Sequence, residues 1–238
     1  MKRLILCLAI LLMTGCSEKD LRETIEIINA SIEEVPLSQA EVSAGLKDAL
    51  SKGISRGAAL ASAKDGYLGN PELMIPFPDE VKQVEKALRK IGLGKDVDRF
   101  VRQLNRGAEQ AATKAKPIFI KAITSMTIRD AFDILNGDVD AATRYLERKT
   151  GADLHKQFRP VVSEKLQETS ATRYYGEIVN KYNQIPLVKK VDPDLEAYAT
   201  ERAIDGLFLL IAKEEANIRA NPRARTTQLL RRVFGSLD

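Results

Sequence analysis

From Leu21 to Phe234 the apolar residues recur at intervals of three and four, and no stretch of any length alternates apolar with polar. That periodicity constrains the fold more than any other feature. Spacings of three and four gather side chains on one face of an α-helix, whereas a half-buried strand needs a period of two. The expectation is an all-α fold: a single multi-helix, bundle-like domain with one Pro/Gly-rich loop at about residues 64–80. No fixed-period repeat and no low-complexity tract divides it.

The punctuation between periodic segments sets the expected helices. Ser38 with Glu41 forms a capping box for a helix carrying Val42, Leu46, Ala49, Leu50, Ile54 and Leu60. Gly45, Gly53 and Gly57 weaken that helix by about 1 kcal/mol each, so a closely crossing backbone is expected there. Asp65-Gly66, Asn70-Pro71, Pro76 and Pro78 are turn signals, and Leu73, Met74, Ile75 and Phe77 between them are expected to pin the loop inward. Asp79 caps a helix bearing Val81, Val84, Leu88 and Ile91, stopped at Gly92 and Gly94. A seam of Val97, Val101, Leu104, Ala108, Ala111 and Ala115 follows, and Pro117 either kinks that helix or begins another through Phe119, Ile123 and Met126.

Thr127 with Asp130 opens a short helix through Phe132 and Leu135 that stops at Gly137. Ala141, Ala142, Tyr145 and Leu146 supply the next inward face, up to Gly151. Leu154, Phe158, Val161, Val162 and Leu166 continue it around Pro160, and Tyr175, Ile178, Val179 and Tyr182 follow. Asp192-Pro193 reads as N-cap plus first helical position. The helix after it holds Leu207 to Ala212, apolar all round and therefore expected at the core. Asn221-Pro222 ends it before a last amphipathic helix with Leu229, Leu230, Val233 and Phe234.

The first fifteen residues have a different character. Lys2-Arg3, the apolar run Leu4 to Leu12 and the small pair Thr14-Gly15 have the order of a secretory signal. Nine apolar residues are too few to span a bilayer, which takes roughly 20. Met13-Thr14-Gly15-Cys16 resembles the bacterial lipobox, with Met where Leu is usual, and the resemblance implies acylation of the Cys16 thiol and cleavage just before it. Ser17 after the cysteine implies sorting to the outer membrane, with the domain facing the periplasm. The organisation expected is a lipoprotein signal peptide at 1–15, a lipid-anchored N-terminal helix or linker at 16–37 and the helical domain at 38–235. Leu21, Ile25, Ile28, Ile32 and Val35 place a narrow apolar stripe on the linker, ended by Pro36.

Of two cysteines, Cys7 leaves with the signal and Cys16 is committed to lipid, so the mature chain has no disulfide and depends on its apolar core. The formal charge of +4 falls to +2 once Lys2 and Arg3 are removed. Such a balance argues against a nucleic-acid partner and against a strong polybasic membrane patch. The chain has no tryptophan, which speaks against a carbohydrate-stacking platform.

Collinear short segments resemble the DUF4197 family of bacterial proteins over roughly residues 38 to 235. They are Asp65-Gly66-Tyr67, Ile75-Pro76-Phe77-Pro78, Asn105-Arg106 with Glu109, Pro117-Ile118-Phe119, Met126-Thr127-Ile128 with Asp130-Ala131, and Asp140 to Thr143. Nearer the end they are Gly206-Leu207-Phe208, Ile211 to Glu215, and Ile218-Arg219 with Asn221-Pro222 and Arg225. The resemblance implies no activity.

No catalytic constellation is complete. His155 is the only histidine and reads as a surface residue, and without a second His or a usable Cys the ligands zinc prefers are missing; no metal or cofactor is expected. The candidate polar site is Asn105, Arg106, Glu109, Asp130, Arg219 and Arg225. Asn105, Arg106 and Glu109 share a helical face, as a buried network or the floor of a polar pocket. Arg219 and Arg225 flank Asn221-Pro222, where they bind an anion or cap carbonyls. Asp130 doubles as the partner of Thr127, and Glu215 with Arg219 is an i, i+4 pair. The expected function is a non-enzymatic envelope lipoprotein, held to the membrane through Cys16, that binds an envelope protein partner or an apolar or lipid ligand. The alternative is a carboxylate-dependent, hydrolase-like enzyme with a polar pocket around Arg106, Glu109 and Asp130.

Overall fold

The computed structural model describes residues 37–235, apart from 80–81, 91, 93, 168–174, 177–178, 181–182, 185, 188–189, 193 and 226 and the side chains of 84, 87, 88 and 230. Cys16, the leader 1–15 and the stripe from Leu21 to Val35 lie outside the described residues. So do Val81, Ile91, Ile178, Tyr182 and Pro193, and the side chains of Val84, Leu88 and Leu230.

Among the described residues there is no strand. The helices are α1 (Gln39–Ser62), α2 (Lys82–Lys90), α3 (Gly94–Ala112), α4 (Ala115–Thr124), α5 (Ile128–Leu135), α6 (Ala141–Gln167), α7 (Leu195–Ala220) and α8 (Gln228–Gly235), with a 3₁₀ turn at Pro222–Ala224. The all-α bundle expected from the periodicity is what forms. α1 is central, packed against α3, α4, α5, α7 and α8, and α6 closes the bundle against α3, α4, α5 and α7.

α1 starts directly after Ser38 and buries Val42, Leu46, Ala49, Leu50 and Ile54. Leu60, expected on that face, is 54% exposed, and Ala58 and Ala61 turn inward instead. Only one of its three glycines meets a tight crossing. A Cβ on Gly45 would lie 2.8 Å from Val233 Cγ2, a side chain of α8 rather than a backbone. The nearest atoms to a Cβ on Gly53 and Gly57 are at ordinary contact distance, 3.5 and 3.7 Å, on α7.

In the loop after α1, Leu73, Ile75 and Phe77 are buried as expected, but Met74 is 38% exposed. Gly92 stops α2 with φ +89°, and Gly94, expected as a second stop, is the first residue of α3. The α3 seam runs through Phe100 rather than the half-buried Val101, and Phe77 packs on Phe100 at 5.3 Å. Pro117 sits in the first turn of α4, where its missing N–H leaves no helical bond unmade. The Pro117 choice therefore resolves as a new helix, not a kink.

α6 runs for 27 residues through both Gly151 and Pro160, where a stop and an irregularity were expected. Pro160 is exposed, while Leu154, Phe158, Val162 and Leu166 on the other side are each 0% exposed. Burying four large side chains at roughly 1.5–3 kcal/mol each outweighs the roughly 3 kcal/mol penalty of an internal proline. α7 is capped by Asp194, whose Oδ1 accepts from Ala197 N at 2.9 Å. The expected cap, Asp192, instead accepts from Asp194 N at 2.8 Å and shapes the turn before it. Leu207, Phe208 and Ile211 are buried, whereas Leu209 is 38% exposed, so the run is not apolar toward the core all round.

Candidate functional site

Most of the polar residues matched along the chain gather into two clusters, and in both most of their partners are backbone groups. The first holds the loop between α1 and α2. Three residues beyond the end of α1, Asp65 stands at φ +64°, a left-handed conformation that Asp tolerates better than most residues. Gly66 follows where a Cβ would lie 2.3 Å from Leu60 O, so no side chain fits. The loop then crosses α3, and its buried N–H and C=O groups need partners. Asn105, fully buried, supplies two: its Oδ1 accepts from Ile75 N at 2.8 Å and its Nδ2 donates to Ile75 O at 2.9 Å.

One turn on, Glu109 Oε1 accepts from the N–H groups of Tyr67 and Leu68, each at 3.2 Å. Its Oε2 takes Arg106 Nη1 at 2.5 Å, and Arg106 Nη2 reaches Asp65 Oδ1 at 2.7 Å. Tyr67, 0% exposed, runs under the loop and donates its hydroxyl to Ala203 O at 2.5 Å. Gly206 makes room for it, since a Cβ there would stand 2.8 Å from Tyr67 Cε1. Burial first, then the charges of Asp205 and Glu109, push the phenol far above its ordinary value, so it serves as a permanent donor.

The second cluster joins three helix ends. Glu215 of α7, 6% exposed, accepts from Ala142 N at 3.0 Å, Thr143 N at 2.9 Å and Thr143 Oγ1 at 2.8 Å. These are first-turn donors of α6 with no partner inside their own helix. Arg219 pairs with Glu215 Oε1 at 3.0 Å and donates to Ile134 O at 2.7 Å and Leu135 O at 3.2 Å, the last carbonyls of α5. Arg225, 3% exposed, donates to Ile218 O and Arg219 O at the end of α7 and lies 5.8 Å over the Phe234 ring.

Asp130 stands apart from both. It completes the capping box with Thr127 at the start of α5, accepting from Thr127 N at 2.9 Å. Hydrogen bonds from the Thr127 hydroxyl and then its backbone N–H hold the carboxyl below the ordinary carboxylate range. Its exposed side lines a groove of about 270 Å³ with Asp133, Asp138, Arg144 and Arg148, whose lining includes neither Arg106 nor Glu109.

The largest of three described surface clefts, about 450 Å³, lies between the loop and α7. Its floor is Leu73, Ile75 and Gly206, and its rim includes Met74, Arg202 and Asp205. Burial pushes the Asp205 carboxyl above its ordinary value, against the pull of Arg202. A third cleft, about 360 Å³, runs along α1 and α7 between Arg56 and Ile218, with Arg56 clamped on both Glu214 oxygens. His155 is exposed on α6. Among the described residues no group of three His, Cys, Asp or Glu stands ready for a metal, and no helix is long and apolar enough to cross a membrane.

The same-face trio on α3 was visible in the sequence, but its partners were not, because Ile75 and Tyr67 lie 30 and 42 residues away. Tyr67 itself stood out in the sequence only within the segment Asp65-Gly66-Tyr67. Its sole local signal was an aromatic residue directly after Asp65-Gly66. The reach of Glu215 to Thr143, over 72 residues, had no local signal. A family model described as a protein of unknown function, DUF4197, matches residues 36–235. No curated protein and no solved structure matches the chain.

Proposed function

The chain belongs to the DUF4197 family, and we propose that it is a lipid-anchored, non-catalytic domain of the bacterial envelope that engages a protein partner. One observation carries the reading. The polar residues that an enzyme of this chain would use are occupied by backbone: Asn105 and Glu109 by the loop, Glu215 and Arg219 by helix ends, Arg225 by the last turn of α7. A carboxylate already accepting two or three hydrogen bonds is poorly placed to take a proton from a substrate. Charged side chains on the rims of the described clefts favour a protein partner over an apolar ligand.

The anchor rests on the sequence Lys2-Arg3, Leu4 to Leu12, Gly15-Cys16. Two acyl chains on Cys16 would hold the domain stably, where a single chain binds only marginally. Ser17 directs it to the outer membrane, facing the periplasm. The test has two arms. Cells fed labelled palmitate should incorporate it into the chain but not into Cys16→Ser, which should leave the membrane fraction; incorporation into Cys16→Ser overturns the anchor. Glu109→Gln and Asp130→Asn should lower the melting temperature together with any phenotype. A phenotype lost at unchanged melting temperature would favour the enzyme.

A further inference from the structure

We infer that the solvent face formed by α2 and α3 is a docking surface for an anionic lipid bilayer. The near-neutral balance of the whole chain conceals a strong segregation. Together α2 and α3 carry eight Lys and Arg against four Asp and Glu, a net +4 that equals the formal charge of the entire chain. On α3, Lys95, Arg99, Arg102 and Arg106 fall within about 60° of one another around the helix. The buried residues Val97, Phe100, Leu104, Ala108 and Ala111 centre on the opposite side. On α2, Lys82, Lys86 and Arg89 repeat the spacing, with Lys90 beside them. The two helices pack together, and Arg89 Nη1 bridges to Asp98 Oδ1 at 2.8 Å, so the stripes belong to one surface.

Some of this charge is already matched. Lys82 pairs with Asp79, Arg89 with Glu85 and Asp98, and Arg106 with Asp65 and Glu109. Lys86, Lys90, Lys95, Arg99 and Arg102 are exposed and have no carboxylate partner among the described residues. Lys95 to Arg106 spans about 16 Å of helix axis, and successive cations stand only about 5–6 Å apart along it, within one Debye length at physiological ionic strength. Neighbouring cations therefore act jointly on an anionic surface.

A bilayer fits this face better than a nucleic acid does. Single strands are held by stacking bases on aromatic rings, and the aromatic residue of these two helices, Phe100, is 0% exposed. A stripe of long cationic side chains without such rings is what a headgroup layer requires. The inference rests on the envelope reading for where such a bilayer is met, and on the α2–α3 face alone for the charge. It gives the domain a second membrane contact, fixing which side faces the lipid.

The test uses the full chain carrying Cys16→Ser, so that acylation cannot report. Its sedimentation with phosphatidylethanolamine–phosphatidylglycerol vesicles is compared with that of the same chain also carrying Lys86→Gln, Lys95→Gln, Arg99→Gln and Arg102→Gln. Each cation near an anionic surface contributes about fivefold, so the quadruple variant should bind at least about a hundredfold more weakly. The apolar leader is common to both chains and cancels. A control with Gln at Lys121, Arg148, Lys149 and Lys156, exposed cations of other helices, should lose less than the α2–α3 variant, and high salt should erase the difference. Equal binding of the two quadruple variants, or equal binding of the parent to phosphatidylcholine, would overturn the inference. So would a DNA oligonucleotide that competes fully with the vesicles. Absence of acyl mass on the unsubstituted chain from cells would instead overturn only the anchor.

Discussion

Replacing Glu215 with alanine tests whether the polar positions of this domain are structural. The carboxylate holds the N–H groups of Ala142 and Thr143 and neutralises Arg219, whose side chain is 15% exposed. An orphaned buried N–H costs about 1–3 kcal/mol. Two of them, partly rehydrated at a helix end, amount to about 3 kcal/mol. Thr143 Oγ1 can rotate to another acceptor and is not counted. Stranding the Arg219 guanidinium adds about 1–2 kcal/mol, below the 3–5 kcal/mol of a fully buried broken pair because Arg219 keeps the Ile134 and Leu135 carbonyls. Glu215→Ala should therefore lose about 4–5 kcal/mol, a large part of the 5–15 kcal/mol typical of a domain. Glu215→Gln, which keeps one acceptor, should lose about half of that. Urea unfolding by circular dichroism measures both, and with Arg219→Ala closes a double-mutant cycle whose coupling should exceed about 1 kcal/mol. A loss under about 1 kcal/mol for Glu215→Ala, or additivity within error, would refute the argument.

Asn105→Leu should lose about 2–4 kcal/mol and speed hydrogen exchange at the Ile75 amide, which it leaves without an acceptor; unchanged exchange there would contradict the assignment. Gly57→Ala should be neutral or stabilising by up to about 1 kcal/mol, whereas Gly45→Ala, with Val233 at 2.8 Å, should destabilise. Thermal melts of the pair decide it, and the opposite ranking would be wrong for this packing. Asp130 and Asp205 should respond to pH with opposite signs. The Asp130 carboxyl is lowered on folding, so its contribution is present above the unfolded value of about 3.9 and is lost as pH falls through the folded one. Asp205 is raised, so its penalty is absent at low pH and complete once pH exceeds the folded value. At neutral pH Asp130→Asn should lower the melting temperature and Asp205→Asn raise it, and both differences should close on acidification; differences of the same sign would contradict the linkage.

How legible each feature was depended on the distance over which its cause acts. The Thr127–Asp130 box was read directly because a capping box closes within four residues. The start of α1 directly after Ser38 was legible from an equally local signal, whereas Pro117 left a kink and a new helix both open until α4 formed. Gly151 and Pro160 misled because their local propensities were overridden by Leu154, Phe158, Val162 and Leu166, whose burial is a tertiary fact. The Asp192 cap was displaced by two residues because Asp192 and Asp194 are both capable caps, and only the turn between them decides. On α3, Asn105, Arg106 and Glu109 were correctly placed on one face, yet whether that face met a pocket or a loop was set by residues 65–75. The basic face escaped because composition averages over the chain. Its period lies in Lys82, Lys86, Arg89 and Lys95, Arg99, Arg102, a charged register that the apolar periodicity does not carry.

The hydroxyl of Tyr67 meets Ala203 O across 136 residues. At about 5–20 residues per second of synthesis, a chain made N-terminus first has Tyr67 on the order of ten seconds before its acceptor exists. Until α7 arrives, the tyrosine side chain has neither its acceptor nor the Gly206 slot. The clasp therefore closes only once the chain has passed Gly206: a fragment ending before Ala203 still has Asn105 and Glu109 to hold the loop backbone, but its Tyr67 hydroxyl lacks the acceptor that α7 supplies.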